Sequence, residues 1–159
     1  MMTGKVPPIP KGLHSITPYL TVDGAEKAIE FYQKAFGANL LEKHAMPDGK
    51  IMHSKLQIGN SVIMISDEFP ESQCGTAAPT TLKSTTIMLH LYVDDADATF
   101  NQAIQAGATS KMPLIDAFWG DRYGQIQDPF GHIWSVSTQK EILTDEEVAE
   151  RSASFFANK

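Results

Sequence analysis

Cysteine is nearly absent: Cys74 is the single one among 159 residues. One thiol cannot close an internal disulfide, and a structural zinc site built from several thiolates is excluded, so a reducing cytoplasm is the expected compartment. No apolar run approaches the roughly 18 residues that a membrane-spanning helix requires, so no membrane association is expected. The opening MMTGKVPPIPKG has no apolar stretch of the kind that directs secretion and reads as a loose, proline-containing leader. Basic residues are the minority, 13 Lys and Arg against 19 Asp and Glu, for a formal charge of −6. The acidic residues are dispersed and no basic cluster exists, which argues against a nucleic-acid partner. There is also no dinucleotide fingerprint, phosphate loop or G-x-S-x-G elbow, and Cys74 sits in a polar stretch without an evident His partner, so a nucleophilic mechanism has little support.

The chain has 42% apolar and 20% charged residues, the composition of one soluble domain with its own core. Ser15 to Val22 is β-prone, with Pro18 restricting it to an edge or an irregular ladder position. A helix follows. Asp23 and Glu26 have capping-box spacing, Ala25, Ala28, Ile29, Tyr32 and Phe36 recur at three and four residues, and Gly37 stops it. Strands are expected over Asn39 to His44, Ile51 to Ile58 and Ser61 to Ser66, separated by Pro47-Asp48-Gly49 and Gly59-Asn60. Asp67 to Ser84 is polar and broken by Pro70, Gly75 and Pro79 and reads as a long exposed connection; its length suggests a lid or a linker.

The pattern then restarts. Ile87 to Val93 reads as a strand, Asp94 or Asp95 caps a helix carrying Ala96, Phe100, Ala103 and Ile104, Gly107 ends it, and strands follow over Thr109 to Phe118, Arg122 to Gln127 and His132 to Thr138. Ser15, Val22 and Asp23 register with Thr86, Val93 and Asp94, and Gly37-Ala38 with Gly107-Ala108 after one deletion in the helix. The expectation is one α+β domain of two tandem β-α-β-β-β units: about 14–66, a connection at 67–84, and about 85–138. A C-terminal helix at 144–157 opens with the capping box Thr144-Asp145-Glu146-Glu147, with Leu143 and Val148 placed as a staple and Phe155 and Phe156 on an apolar side.

The stretches TPYLTVDGAEKAIEFYQKAFGA, DGKIMHSKLQIGNSVIMISDEFPE, LHLYVDD and FWGDRYGQIQDPFGHIWSVS resemble the vicinal-oxygen-chelate superfamily, which holds glyoxalase I, bleomycin-resistance proteins and extradiol dioxygenases; within it they are most similar to the PhnB-like branch. The resemblance runs from His14 to the C-terminal helix. It implies sheets curled into half-open cups that face one another around a site, a homodimer, and cups formed either within one chain or between two.

Alternation locates the cup lining from the residues alone. Leu20 and Val22, Ile63 and Ile65, Leu89, Leu91 and Val93, and Trp134 and Val136 form apolar rows expected beneath the helices. The opposite rows, Thr17, Tyr19 and Thr21; Met64 and Ser66; Met88, His90 and Tyr92; Ser135 and Ser137, mix polar and apolar character as a ligand pocket does. In the third strand Met52, Leu56 and Ile58 form the apolar row, which puts His53, Lys55 and Gln57 on that side. The expected ligand-binding residues are Tyr19, His53, Met64, Met88, His90, Trp119, Arg122, Gln125 and Ser135. Trp119 beside Arg122 suggests a stack on a flat ligand with a grip on an anion; the alternative pairs Arg122 with Asp121 or Asp128. His90 with Tyr92 reads either as an acid-base pair or as a buried hydrogen-bonded histidine. His132, in the turn, reads as structural.

Metal-dependent members of the family place one His, Glu or Gln on the first and last strand of each unit. The matching positions are Thr17, Met64, Met88 and Ser135, none a usual ligand of a divalent ion of hard or borderline character. The expectation is therefore a cup that binds a small organic molecule without a metal or other cofactor, by sequestration or by an unassigned metal-free reaction. The alternative is a divalent metal near His53 and His90 serving a glyoxalase- or dioxygenase-type lyase, isomerase or oxidoreductase. A third reading is a dimerising or partner-binding unit whose cup is filled by its own side chains.

Overall fold

The computed structural model describes residue 4 and residues 6–73 and 75–159; Cys74 and most of the first five residues of the leader lie outside the described residues. Unit one consists of β1 (Tyr19–Val22), α1 (Ala25–Phe36), β2 (Asn39–Ala45), β3 (Ile51–Ile58) and β4 (Ser61–Asp67). A 3-10 turn (Glu71–Gln73) and the short α2 (Pro79–Leu82) lead to unit two: β5 (Met88–Tyr92), α3 (Ala96–Ala106), β6 (Thr109–Asp116), β7 (Asp121–Gln127) and β8 (Ile133–Gln139). The chain ends with α4 (Asp145–Ala157). None of the described helices is long and apolar enough to cross a membrane.

Each unit makes one open sheet, ordered β1-β4-β3-β2 and β5-β8-β7-β6. The first strand of each unit pairs parallel with the last, and the other pairings are antiparallel. The parallel pairing requires a crossover, and α1 and α3 supply it. Leu20, Val22, Ile63 and Ile65 are buried beneath α1, and Trp134 and Val136 are buried in unit two. Burial of each such side chain is worth about 1.5–3 kcal/mol. The opposite, concave faces are left open, giving the expected curled α+β architecture.

The two units join through their helix layers. Tyr32 and Phe36 of α1 pack on Trp134 of β8 with ring centroids 5.4 and 4.8 Å apart. Gln102 of α3 donates to the carbonyl of Lys34 at the end of α1, at 2.7 Å. Asp128, which opens the turn before β8, accepts from the backbone of Phe130 and His132, from Trp134 Nε1 and from Tyr32 Oη. His132 is buried and bonds through Nε2 to the carbonyl of Thr21, again across the units; its reading as structural agrees with this position.

Four local expectations change. Pro18 holds the first strand to Tyr19–Val22, because its carbonyl already receives Met64 N–H while Ser15–Thr17 have no ladder. Asp23 does not cap α1: Gly24 occupies the cap position, and Asp67, at the end of β4, accepts the N–H groups of Gly24, Ala25 and Ile51 at 3.0, 2.9 and 2.7 Å. The 67–84 connection is not wholly exposed. Ala78 and Pro79 are buried, and the Glu68 carboxylate accepts from Ala78 N–H and the Thr81 hydroxyl. Met52 is exposed although it shares the parity of Leu56 and Ile58; Ile51, beside the irregularity at His44 and Ala45, takes the buried position. The Thr144–Glu147 capping box forms as expected, and α4 leans on Phe118 through Phe155 and Phe156 while burying no residue completely.

Candidate functional site

Cross-strand registry arranges the concave face of unit two in rows. His90, Ser135 and Gln125 lie side by side across β5, β8 and β7, and Tyr92, Ser137 and Tyr123 form the next row. His90 is exposed; its Nδ1 is hydrogen-bonded to Ser135 Oγ at 2.6 Å, and its ring lies nearly parallel to Tyr123, at 6.0 Å and 23°. Tyr92, 61% exposed, stands edge-on to His90, with centroids 4.6 Å apart. Beneath them Asp121 is buried, and its Oδ2 accepts from Tyr92 Oη at 3.0 Å, Trp119 Nε1 at 3.2 Å and Ser137 Oγ at 3.0 Å. The bond to Asp121 holds the Tyr92 phenol above its usual pKa, so it stays protonated. Gln125 donates to Tyr123 Oη at 2.8 Å.

Unit one is built differently on the same frame. Tyr19, Met64 and Lys55 form a row across β1, β4 and β3, and Tyr19 Oη is hydrogen-bonded to His53 Nδ1 at 2.7 Å. In register Tyr19 matches His90, and His53 matches Tyr123, so each unit carries an imidazole and a phenol at two equivalent positions with the residues exchanged. Burial lowers the His53 pKa, with Lys55 and His44 acting in the same direction and Glu42 opposing. Glu42 faces this side too: its carboxylate meets Lys55 Nζ and His44 Nε2, both at 2.8 Å, and these hydrogen bonds bring its pKa down to about 2. Thr21 is covered rather than open, bonded to Thr76 of the connection.

The expected site residues therefore separate into two groups. Met88, His90, Gln125 and Ser135, with Trp119 at the mouth, share unit two; Tyr19, His53 and Met64 share unit one. Arg122 belongs to neither. It lies on the other face of β7, where its guanidinium makes a fork with the Asp97 carboxylate of α3 at 2.9 and 3.0 Å and reaches Asp116 at 3.4 Å. The sequence proximity of Trp119 and Arg122 is thus not spatial partnership, and Arg122 pairs with neither Asp121 nor Asp128. Asp121 and Tyr123, which organise the second face, share the alternation of Gln125 along β7, the signal by which they are recognisable.

The donor set does not fit the family's metal. Thr17 precedes β1, Met64 and Met88 offer only thioethers, and the Ser135 hydroxyl is buried beneath His90. His53 and His90 have separate partners on separate sheets. Among the described residues no three His, Asp or Glu side chains converge as a metal-binding group.

A cleft of about 1030 Å³ runs along the seam between the units, between the 12–18 segment, the β3–β4 turn and the free edge of β5. Leu89 and Leu91 line it and are only half-buried, because β5 is an edge strand at the seam.

A family model described as Glyoxalase/Bleomycin resistance protein/Dioxygenase superfamily matches residues 12–136. The chain is 44% identical over 142 residues to the uncharacterized protein Mb0911c of Mycobacterium bovis, across 87% of this chain and 93% of that protein. Among solved structures it is similar to PA1353 from Pseudomonas aeruginosa, at 28% identity and a TM-score of 0.63, covering 80% of this chain and 99% of that one. It is also similar to TioX from Micromonospora sp. ML1, at 25% identity and a TM-score of 0.64, covering 79% and 98%.

Proposed function

The chain belongs to the Glyoxalase/Bleomycin resistance protein/Dioxygenase superfamily, and on that premise we propose that it binds a small organic molecule on the concave face of its sheets, without the metal used by other members. The observation that carries this reading is the pairing of an open, hydrogen-bonding surface with a dismantled ligand set. His90, Tyr92 and Met88 present exposed groups on a concave sheet, while Thr17, Met64, Met88 and Ser135 stand where metal ligands would be. A cup filled by its own side chains is disfavoured, because Tyr19 and Met88 remain 51% and 44% exposed.

The proposed assembly is a homodimer in which a second copy closes the open faces. The motifs quoted above favour the PhnB-like branch, and the single cysteine favours a cytoplasmic location. The ligand is held by sequestration or turned over by a metal-free reaction; the His90 imidazole, oriented through Ser135, is the group available to accept or donate a proton.

Elemental analysis of protein purified without chelator tests the metal-free part. The expected result is no stoichiometric Zn, Ni, Mn or Fe. A stoichiometric metal lost in His53→Ala or His90→Ala would contradict the proposal. Light scattering tests the assembly, with a monomer at micromolar concentration as the contrary result.

A further inference from the structure

We infer that the ligand recognised by unit two is an uncharged, planar aromatic molecule, stacked in the corner between His90 and Tyr92; this rests on the proposed binding at the concave face. The two rings meet at 77°, so a flat molecule lying on one face makes an edge contact with the other.

Both rings are held from behind. Tyr92 is tied through its hydroxyl to Asp121, and His90 is tied to Ser135 and backed by the buried ring of Tyr123. An exposed aromatic side chain normally loses rotamer freedom when a ligand binds; here the anchoring bonds have already removed much of it. These are exposed groups with buried restraints, the arrangement expected of a binding surface.

Charge then selects the ligand. Among the described residues of β5, β7 and β8, the concave positions carry no Lys, Arg or Glu. Arg122, the nearest fork of donors in the sequence, is turned to the far face and engaged by Asp97. A carboxylate or phosphate would be desolvated without a cation to meet it. Among these positions the one carboxylate, Asp121, already accepts three hydrogen bonds on one oxygen beneath the rings, which leaves it poorly placed to attract a cationic ligand. What remains for a ligand is the His90 imidazole tip, the Gln125 amide and the aromatic surface, which suit a ring bearing neutral donors or acceptors such as a lactam or an amide.

Isothermal titration of the full chain with three flat bicyclic probes, 2-quinolone, 2-naphthoate and 2-naphthylmethylammonium, tests the inference. The expected order is 2-quinolone tighter than either ion by about tenfold or more, with Tyr92→Leu weakening it by about tenfold. Tyr92→Phe, which keeps the ring but loses its tie to Asp121, binds with intermediate affinity, and Arg122→Ala leaves the binding unchanged. If an ionic probe binds as tightly as 2-quinolone and is lost in Tyr92→Leu, the uncharged class is overturned while binding at the concave face stands. If 2-quinolone binds Tyr92→Leu as well as the parent, the corner is overturned. If none of the three binds at millimolar concentration, the inference is overturned, while the proposed function stands or falls on its own tests.

Discussion

Tyr32 of α1 donates its hydroxyl proton to Asp128 of unit two at 2.5 Å, and this bond joins the helix of one repeat to the hairpin turn of the other. Both groups are buried, and burial, together with the neighbouring carboxylate, drives the Tyr32 pKa well up, so the proton stays on the phenol. Tyr32→Phe keeps the ring that packs on Trp134 and removes only the bond. A loss of about 1–2 kcal/mol in urea-unfolding stability is expected. An unchanged midpoint would show that Asp128 is satisfied without Tyr32.

Asp67→Ala should cost more, about 2–3 kcal/mol, because it strips the acceptor from three backbone N–H groups, two at the start of α1 and one at the start of β3. Asp23→Ala, the change that a local capping box would make damaging, should leave the unfolding midpoint nearly unaltered. Equal losses in the two variants would contradict this assignment of the cap.

Gly131→Ala tests the seating of the connection. Gly131 has φ +87°, and an added Cβ would lie 2.8 Å from Pro79 Cβ. Backbone strain and the clash together should destabilise the protein by about 1–3 kcal/mol. The loss caused by Gly131→Ala should be smaller in a Pro79→Gly background, which removes the Cβ that it meets; an equal loss in both backgrounds would mean that the strained backbone alone is responsible.

The pH response of His53 follows from its lowered pKa. The unfolded imidazole titrates near about 6.5, so the unfolded state takes up the proton first. The contribution of His53 to stability is therefore complete above that value and is lost as the pH falls through the lower, folded value. Imidazole NMR should place the His53 titration below the ordinary range, and Glu42→Gln should lower it further by removing the one charge that opposes the shift. A midpoint at or above the ordinary value would contradict the placement of His53.

The repeat was legible because both units use the same local devices: a Val-Asp strand end, a helix of small and aromatic residues, and a Gly stop. Gly37 and Gly107 do terminate α1 and α3, and Gly37 has φ 65°, a conformation open to glycine at little cost. The cap on α1 was not legible, since Asp67 lies more than forty residues from the helix start that it caps and only the β1–β4 pairing brings it there. The direction of Arg122 was legible but obscured by Trp119. Along β7, Arg122 alternates with Gly124 and Ile126, and Gly124 faces Phe100 of α3, which assigns that row to the helix side. Glu42 faces the same side as His53, yet its two carboxylate oxygens are taken by His44 and Lys55, a pairing that depends on cross-strand registry between β2 and β3.

The most direct test of the account is a thermal-shift titration of one stabilising ligand against chelator-treated protein, metal-supplemented protein and His90→Ala. Metal-free binding at the concave face predicts the same stabilisation with and without chelator, and its loss in His90→Ala. Stabilisation that disappears with chelator and returns with a divalent ion would contradict it.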